Sequence, residues 1–272
     1  MSSKLVNRSV KFGRILTSPL RMMPSFLLIG AQKCGTTSLF NYLLEHPSVC
    51  APVKKEVGYF SSNFDKGIEW YQSFFPIVWH KDRQYITGEA STGYIYHPHA
   101  RHRIADTIPQ VKLIALLRNP VDRAYSHYHH TARMGKEELP FAEAIEREEE
   151  RIEEIKAKML EDGNYYDKSF HYYTYLSRGI YVEQLKPWLE LFPRQQLLIL
   201  KSEDFFAQPA LTLQRVLNFL ELPHCNLQHF PKHNPNRYQD ALDPTTREKL
   251  SAYFRPHNQR LYELLRLNFD WD

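Results

Sequence analysis

Residues Ser25 to Leu44 read SFLLIGAQKCGTTSLFNYLL. Phe26 to Ile29 is an apolar run of strand length, Gly30 to Gly35 has loop composition, and Leu39, Tyr42 and Leu43 return at helical spacing. The stretch therefore predicts a strand, a loop and a helix. Gly30 and Gly35 stand five apart, as in the phosphate loop G-x-x-x-x-G-K-[ST], but Thr36 follows the second glycine and the lysine has moved back to Lys33. A helix starting near Thr36 aims unpaired N–H groups and a partial positive charge at whatever lies above it. Gly35 permits close backbone approach, and Thr36, Thr37 and Ser38 add hydroxyls. The stretch reads as a P-loop-like phosphate site, with an ordinary threonine-capped helix start as the simpler alternative.

The chain has 272 residues, 43% hydrophobic and 14% aromatic, which suits one large domain with an ample core. A net charge of +4 without a long basic run argues against bulk nucleic-acid binding. Residues 1–24 form a basic N-terminal arm with Lys4, Arg8, Lys11, Arg14 and Arg21 and no acid, expected to be loose, and residues 25–272 form the domain. No stretch has the apolar length of a transmembrane segment or a convincing signal-peptide core. Cys34, Cys50 and Cys225 are odd in number and lack metal or redox spacing, which predicts a reducing, cytoplasmic home.

After the first helix, Val49 to Ser61 reads as a loop with one acid, Glu56, among Lys54, Lys55 and aromatics. Folded over the phosphate site, its carboxylate is a candidate general base; left at the surface, it is a minor ion pair with a lysine. Tyr85 to Glu89 predicts a short strand, and Glu89 and Ser91 follow at its carboxyl end, where open α/β sheets place their sites. Glu89 is thus a second candidate base on the acceptor side. His97, His99 and His102 have ligand-like spacing without an acid or cysteine, so no metal is expected.

Val111 to Leu117 is the clearest buried strand and runs into Arg118. Nucleoside triphosphatases usually end such a strand in an acid that holds Mg²⁺. A guanidinium there, with Ser126 two turns along the next helix, reads instead as a second anion clamp, the alternative being a helix-start pair of Arg118 with Asp122. Further helices are expected over Phe141 to Met159, Tyr181 to Phe192 with an interruption at Pro187, Ala210 to Leu220, and Pro244 to Leu267 with one near Pro256. A strand is expected over Gln196 to Leu200. Tyr165 to Tyr175 is aromatic and serves packing or an acceptor cleft, and the polar loop between Pro223 and Pro244 carries Lys232, His233, Asn234 and Arg237.

Together Lys33-Cys-Gly-Thr-Thr, Lys55-Glu-Val-Gly-Tyr-Phe, Lys66-Gly-Ile-Glu-Trp-Tyr, Leu117-Arg-Asn-Pro-Val-Asp-Arg-Ala-Tyr-Ser and Phe269-Asp-Trp resemble sulfotransferases of the heparan sulfate type, the N-deacetylase/N-sulfotransferases and 3-O-sulfotransferases. The resemblance spans nearly everything from Ser25 onward. It implies a three-layer α/β fold with a mainly parallel central sheet. It also implies transfer of a sulfuryl group from 3′-phosphoadenosine 5′-phosphosulfate (PAPS, leaving PAP) to a hydroxyl or amine, without metal. By position the 5′-phosphosulfate loop falls on Lys33, Cys34, Gly35, Thr36, Thr37 and Ser38, the 3′-phosphate clamp on Arg118 and Ser126, and the catalytic glutamate on Glu56, with Lys33 beside the leaving group. Of the late basic loop only Arg237 carries over.

Departures fall on the acceptor side. Val57, Gly58 and Ser61 replace the family's Pro, His and Asp after the glutamate, Ala90 replaces a lysine after Glu89, and Cys225 lacks a nearby partner for the loop disulfide of the animal enzymes. The acceptor, a polysaccharide or a small alcohol, is therefore left open. Two rivals also stay open: a P-loop-type nucleotide kinase, and a non-catalytic nucleotide-binding module with no need of Glu56.

Overall fold

The structure, a computed structural model, describes residues 13–77, 85–233 and 241–271. Five strands form one sheet: β1 (Phe26–Gly30), β2 (Val49–Cys50), β3 (Ile86–Glu89), β4 (Lys112–Leu117) and β5 (Leu197–Lys201). Their spatial order is β2-β3-β1-β4-β5, and every pairing is parallel. β1 is buried along its whole length, and β4 from Leu113 onward, which is why both read as unbroken apolar runs.

Helices cover both faces. On one lie α1 (Thr36–Leu44), which follows β1, and, further along the chain, a helix over Pro209–Phe219 packed against it. On the other lie α2 (Ala100–Thr107), α3 (Pro120–Arg133), α4 (Tyr181–Leu191) and α5 (Pro244–Leu265), with α5 against both α3 and α4. This is the expected three-layer α/β arrangement. The chain leaves β1 toward β2 and β3 on one side and crosses to β4 on the other, so the carboxyl end of β1 sits at the switch in strand order where such sheets open a crevice.

Several local expectations need correction. The Val49 to Ser61 stretch is not all loop, because Val49–Cys50 pairs with Ile86 and Thr87 as an edge strand. Pro187 and Pro256 lie inside continuous helices, α4 and α5. Each removes one N–H from the ladder, and the buried faces of these helices, Leu185 and Trp188 in α4 and Phe254 and Leu261 in α5, hold the helix together around it. The Phe141 to Met159 helix is two, Phe141–Glu146 and Glu148–Glu161, broken at Arg147.

The arm is not loose where it is described. Arg14 donates to the carbonyls of Ser73 and Phe75, Arg21 donates to that of Phe75, and Met22 N–H donates to Pro76 O. These guanidiniums satisfy carbonyls left open where the Ile68–Gln72 helix ends. Lys4, Arg8 and Lys11 lie outside the described residues.

Candidate active site

The loop after β1 turns tightly. Lys33 adopts a left-handed φ of 70° and Gly35 one of 93°, the latter at the cap of α1, where no side chain bonds the first N–H groups. A Cβ on Gly35 would also meet the Phe206 ring at 2.8 Å, so glycine is required there twice over. The turn leaves the amino end of α1 facing a cavity of ≈ 780 Å³ at the carboxyl ends of β1 and β4. Lys33, Gly35, Thr36 and Thr37 line it, and so does Arg118 at the end of β4.

Neither cation is neutralised. Among the described residues no carboxylate pairs with Lys33 or Arg118; Arg118 reaches only Lys33 O, at 3.5 Å. The alternative pairing with Asp122 is not made, because Asp122 takes Arg247 at 2.6 Å. Burial first, then the nearby guanidiniums of Arg133 and Arg118, lower the Lys33 ammonium to about 8. A positive end of a helix and two uncompensated cations make an anion site.

Other expected donor-side residues face elsewhere. Cys34 is fully buried, its thiol pushed up to about 11 by burial, and only its backbone belongs to the loop. Ser38 is fully buried too, and its Oγ accepts from His233 N at 3.0 Å. Ser126 is 2% exposed, on the stripe by which α3 packs, and does not line the cavity. One turn further, His130 does. The late loop closes the opposite wall with Lys232 and His233, anchored where Tyr42 OH donates to Pro231 O. Arg237 lies outside the described residues.

Glu56 enters the same cavity from the loop after β2. Its side chain is 51% exposed and pairs at 3.0 Å with Lys55, whose Nζ also donates to Thr37 Oγ1 at 2.8 Å. The lysine–glutamate pair foreseen at the surface thus exists, but it is tied to the first turn of α1 through Thr37.

Glu89 has no exposed surface and does not line the cavity. It accepts from Val57 N, Ser91 Oγ, Tyr71 OH and Tyr94 OH. Ser91 is likewise occupied, donating to Glu89 and accepting from Gly58 N. Burial raises the Glu89 carboxyl, against the pull of these donors.

Beyond Glu56 the cavity is walled by Gln32, Thr92, His130 and His171. Burial and then Lys33 lower His130, while burial and Arg178 bring His171 to about 3, so His171 is a neutral imidazole within 3.2 Å of Gln32 Nε2. Most of the Tyr165 to Tyr175 aromatics pack, and His171 is the member of that stretch that reaches the cavity. His97, His99 and His102 do not converge: His97 Nδ1 takes the His99 N–H, and His99 Nε2 bonds Met159 O. Among the described residues no group of three or more His, Cys, Asp or Glu could hold a metal.

The Phe269-Asp-Trp ending is architectural. Trp271 stacks on Phe269 at 4.6 Å, and its Nε1 donates to Glu203, whose other oxygen takes Asn119 N at 2.8 Å. Tyr181 OH donates to Arg118 O. The turn that presents Arg118 is therefore fixed from both sides.

Comparison with known proteins agrees with this geometry. The family model described as Sulfotransferase domain matches residues 23–259. A crystal structure of a sulfotransferase from Alicyclobacillus acidocaldarius superposes with a TM-score of 0.74 at 30% identity, covering 92% of this chain and 99% of that one. The bifunctional heparan sulfate N-deacetylase/N-sulfotransferase 3 of Homo sapiens is 31% identical over 89% of this chain, which spans 30% of that protein's length. The membrane-associated sulfotransferase kil1 of Dictyostelium discoideum is 29% identical over 93% of this chain and 67% of its own. That last relative overturns the cytoplasmic expectation drawn from cysteine usage and the lack of an apolar span. No helix among the described residues is long and apolar enough to cross a membrane, yet a relative so similar in sequence is membrane-associated.

Proposed function

Since the chain belongs to the sulfotransferase domain family, we propose that the sulfuryl group it transfers comes from PAPS and goes to a hydroxyl or amine of a glycan. The observation that carries this reading is the meeting of Glu56, Lys33 and Arg118 on one cavity, from three separate loops. Family membership sets the kinase aside, and β4 is followed directly by Arg118 where a kinase-like site would want an acid.

In this reading the first turn of α1, Thr36, Thr37 and Lys33 hold the 5′-phosphosulfate, and Arg118 reads the 3′-phosphate. Glu56 takes the proton of the acceptor as its oxygen or nitrogen attacks sulfur in line. The new bond to sulfur forms as the bond from sulfur to the 5′-phosphate oxygen breaks, and PAP leaves with the electron pair. Lys33 and the helix N-terminus stabilise the negative charge that grows on that oxygen. No step calls for a metal. The relatives named for heparan sulfate support a glycan as acceptor, and the neutral wall of Gln32, Thr92 and His171 suits hydroxyl-rich ligands.

The test is incubation with ³⁵S-labelled PAPS and a panel of polysaccharides, lipids and small alcohols, with and without EDTA. Label on a polysaccharide, unchanged by EDTA, is the expected result. Labelling of the small alcohols alone would overturn the glycan assignment.

A further inference from the structure

Four donors converge on the Glu89 carboxylate, and their arrangement has a direction. Oε2 accepts from Val57 N at 2.9 Å and Ser91 Oγ at 2.6 Å; Oε1 accepts from Tyr71 OH at 2.8 Å and Tyr94 OH at 2.7 Å. Two of the hydroxyls pass the contact on, since Ser91 Oγ accepts from Gly58 N at 3.0 Å and Tyr94 OH from Phe60 N at 3.4 Å. On the near side, Ala90 N donates to Lys55 O at 2.9 Å. The backbone on both sides of Glu56 is thus bonded to the end of β3, directly or through one hydroxyl, while the Glu56 side chain lines the cavity, paired with Lys55.

We infer that Glu89 is a positioning residue for the transfer reaction: it fixes the Lys55–Gly58 backbone so that the Glu56 carboxylate meets the acceptor beside Lys33. The inference rests on the reading of Glu56 as general base. A core that needed only packing at this place would be served by an apolar side chain, because burying a carboxylate is costly unless donors surround it. Here one donor is the loop's own Val57 N–H, and two of the donating hydroxyls, on Ser91 and Tyr94, accept in turn from the loop's Gly58 and Phe60 N–H groups, so the cost is tied to the loop's geometry. The required accuracy is high, since a displacement of about 1 Å at a catalytic group costs on the order of 10²-fold in rate. Three short segments distant in sequence, 55–60, 71 and 89–94, are held in register by one carboxylate.

Positioning and proton transfer make opposite predictions for the conservative variant. In Glu89→Gln the amide oxygen still accepts from Val57 N and Ser91, and the tyrosine hydroxyls can turn to accept from the amide N–H. A positioning residue survives this exchange, whereas a base does not. Glu89→Gln is therefore expected to keep kcat within about tenfold of wild type, and Glu89→Ala to lose roughly 10²-fold, both with unchanged PAP affinity. Ser91→Ala, a milder change that frees Gly58 N and takes one of the four donors from Glu89, is expected to lower kcat several-fold, and to add nothing in a Glu56→Gln background because its effect passes through Glu56. A Glu89→Gln variant as inactive as Glu89→Ala would overturn the inference, and so would full activity in Glu89→Ala. Should Glu89→Ala not fold, an unchanged rate in Ser91→Ala, or an equal loss with and without Glu56, overturns it in the same way. Glu56→Gln assayed alone separates the two readings: if it is fully active, the base assignment falls and the positioning role with it. If it is inactive while the Glu89 and Ser91 results fail, only the positioning role falls.

Discussion

Lys55 Nζ donates to Thr37 Oγ1 over 2.8 Å, so the loop that carries Glu56 is tied to the first turn of α1. Because the same ammonium lies 3.0 Å from Glu56, one lysine links the anion site to the carboxylate above it. Replacing it with methionine keeps the stem and removes both bonds. We expect Lys55→Met to lower kcat/KM by roughly tenfold, since a hydrogen bond to a charged group is worth ~1.5 kcal/mol or more. Steady-state kinetics at saturating acceptor checks this, and unchanged values would detach Lys55 from the reaction.

Lys33 gives a pH-dependent signature of donor binding. Its ammonium is lowered to about 8 in the free protein by burial and by Arg133 and Arg118. A bound phosphosulfate or PAP supplies opposite charge and favours the protonated form, so the pKa rises on binding. Protons are then taken up at and above pH 8, and affinity declines as pH rises through that value. Calorimetry of PAP binding at pH 8.5 in buffers of different ionisation enthalpy should register net proton uptake that fades by pH 6. The absence of uptake at pH 8.5 would mean that the ligand does not reach Lys33.

How much of this site was legible before the fold was known depended on how local each signal was. β1, its loop and α1 form one stretch of sequence with a change of period from continuous apolar to helical, and the arginine that ends β4 stands directly after its strand. Glu56 carried only a weak signal of its own and became prominent through the family resemblance. The role of Glu89 was illegible, because it is defined by Val57, Tyr71 and Tyr94, which come together only when β3 pairs beside β1. Gln32 and His171, 139 residues apart, share a wall for the same reason. His130 did leave a trace: it lies four residues beyond Ser126 on α3, one helical turn, and it reaches the cavity where the serine packs inward. The prolines misled because a helix with a well-buried face tolerates the loss of one bond.

Arg118 is expected to distinguish the nucleotides. If it reads the 3′-phosphate, PAP should bind more tightly than AMP by ~1 to 3 kcal/mol, the size of a lost charge-assisted contact set. Arg118→Met should erase most of that difference and leave AMP affinity nearly intact. Equal affinity of the wild-type protein for the two ligands would remove Arg118 from the site.

Trp271 is expected to matter through Arg118 and not through the ligand. It is 6% exposed, and it holds Glu203 against the Asn119 turn. Trp271→Ala should cost roughly 3 to 5 kcal/mol of stability in a chemical denaturation series. Trp271→Phe keeps most of the packing and should weaken PAP binding only slightly. A Trp271→Ala protein as stable as wild type would show that the chain end does not brace this turn.

The central claim is that Glu56 takes the acceptor's proton while the loop after β1 and Arg118 hold the donor. Glu56→Gln keeps size and polarity but cannot accept a proton. The most direct measurement is its turnover of PAPS with a labelled acceptor beside its PAP affinity. The account predicts turnover reduced by roughly 10²- to 10⁴-fold with PAP affinity nearly unchanged; wild-type turnover in the glutamine variant would contradict it.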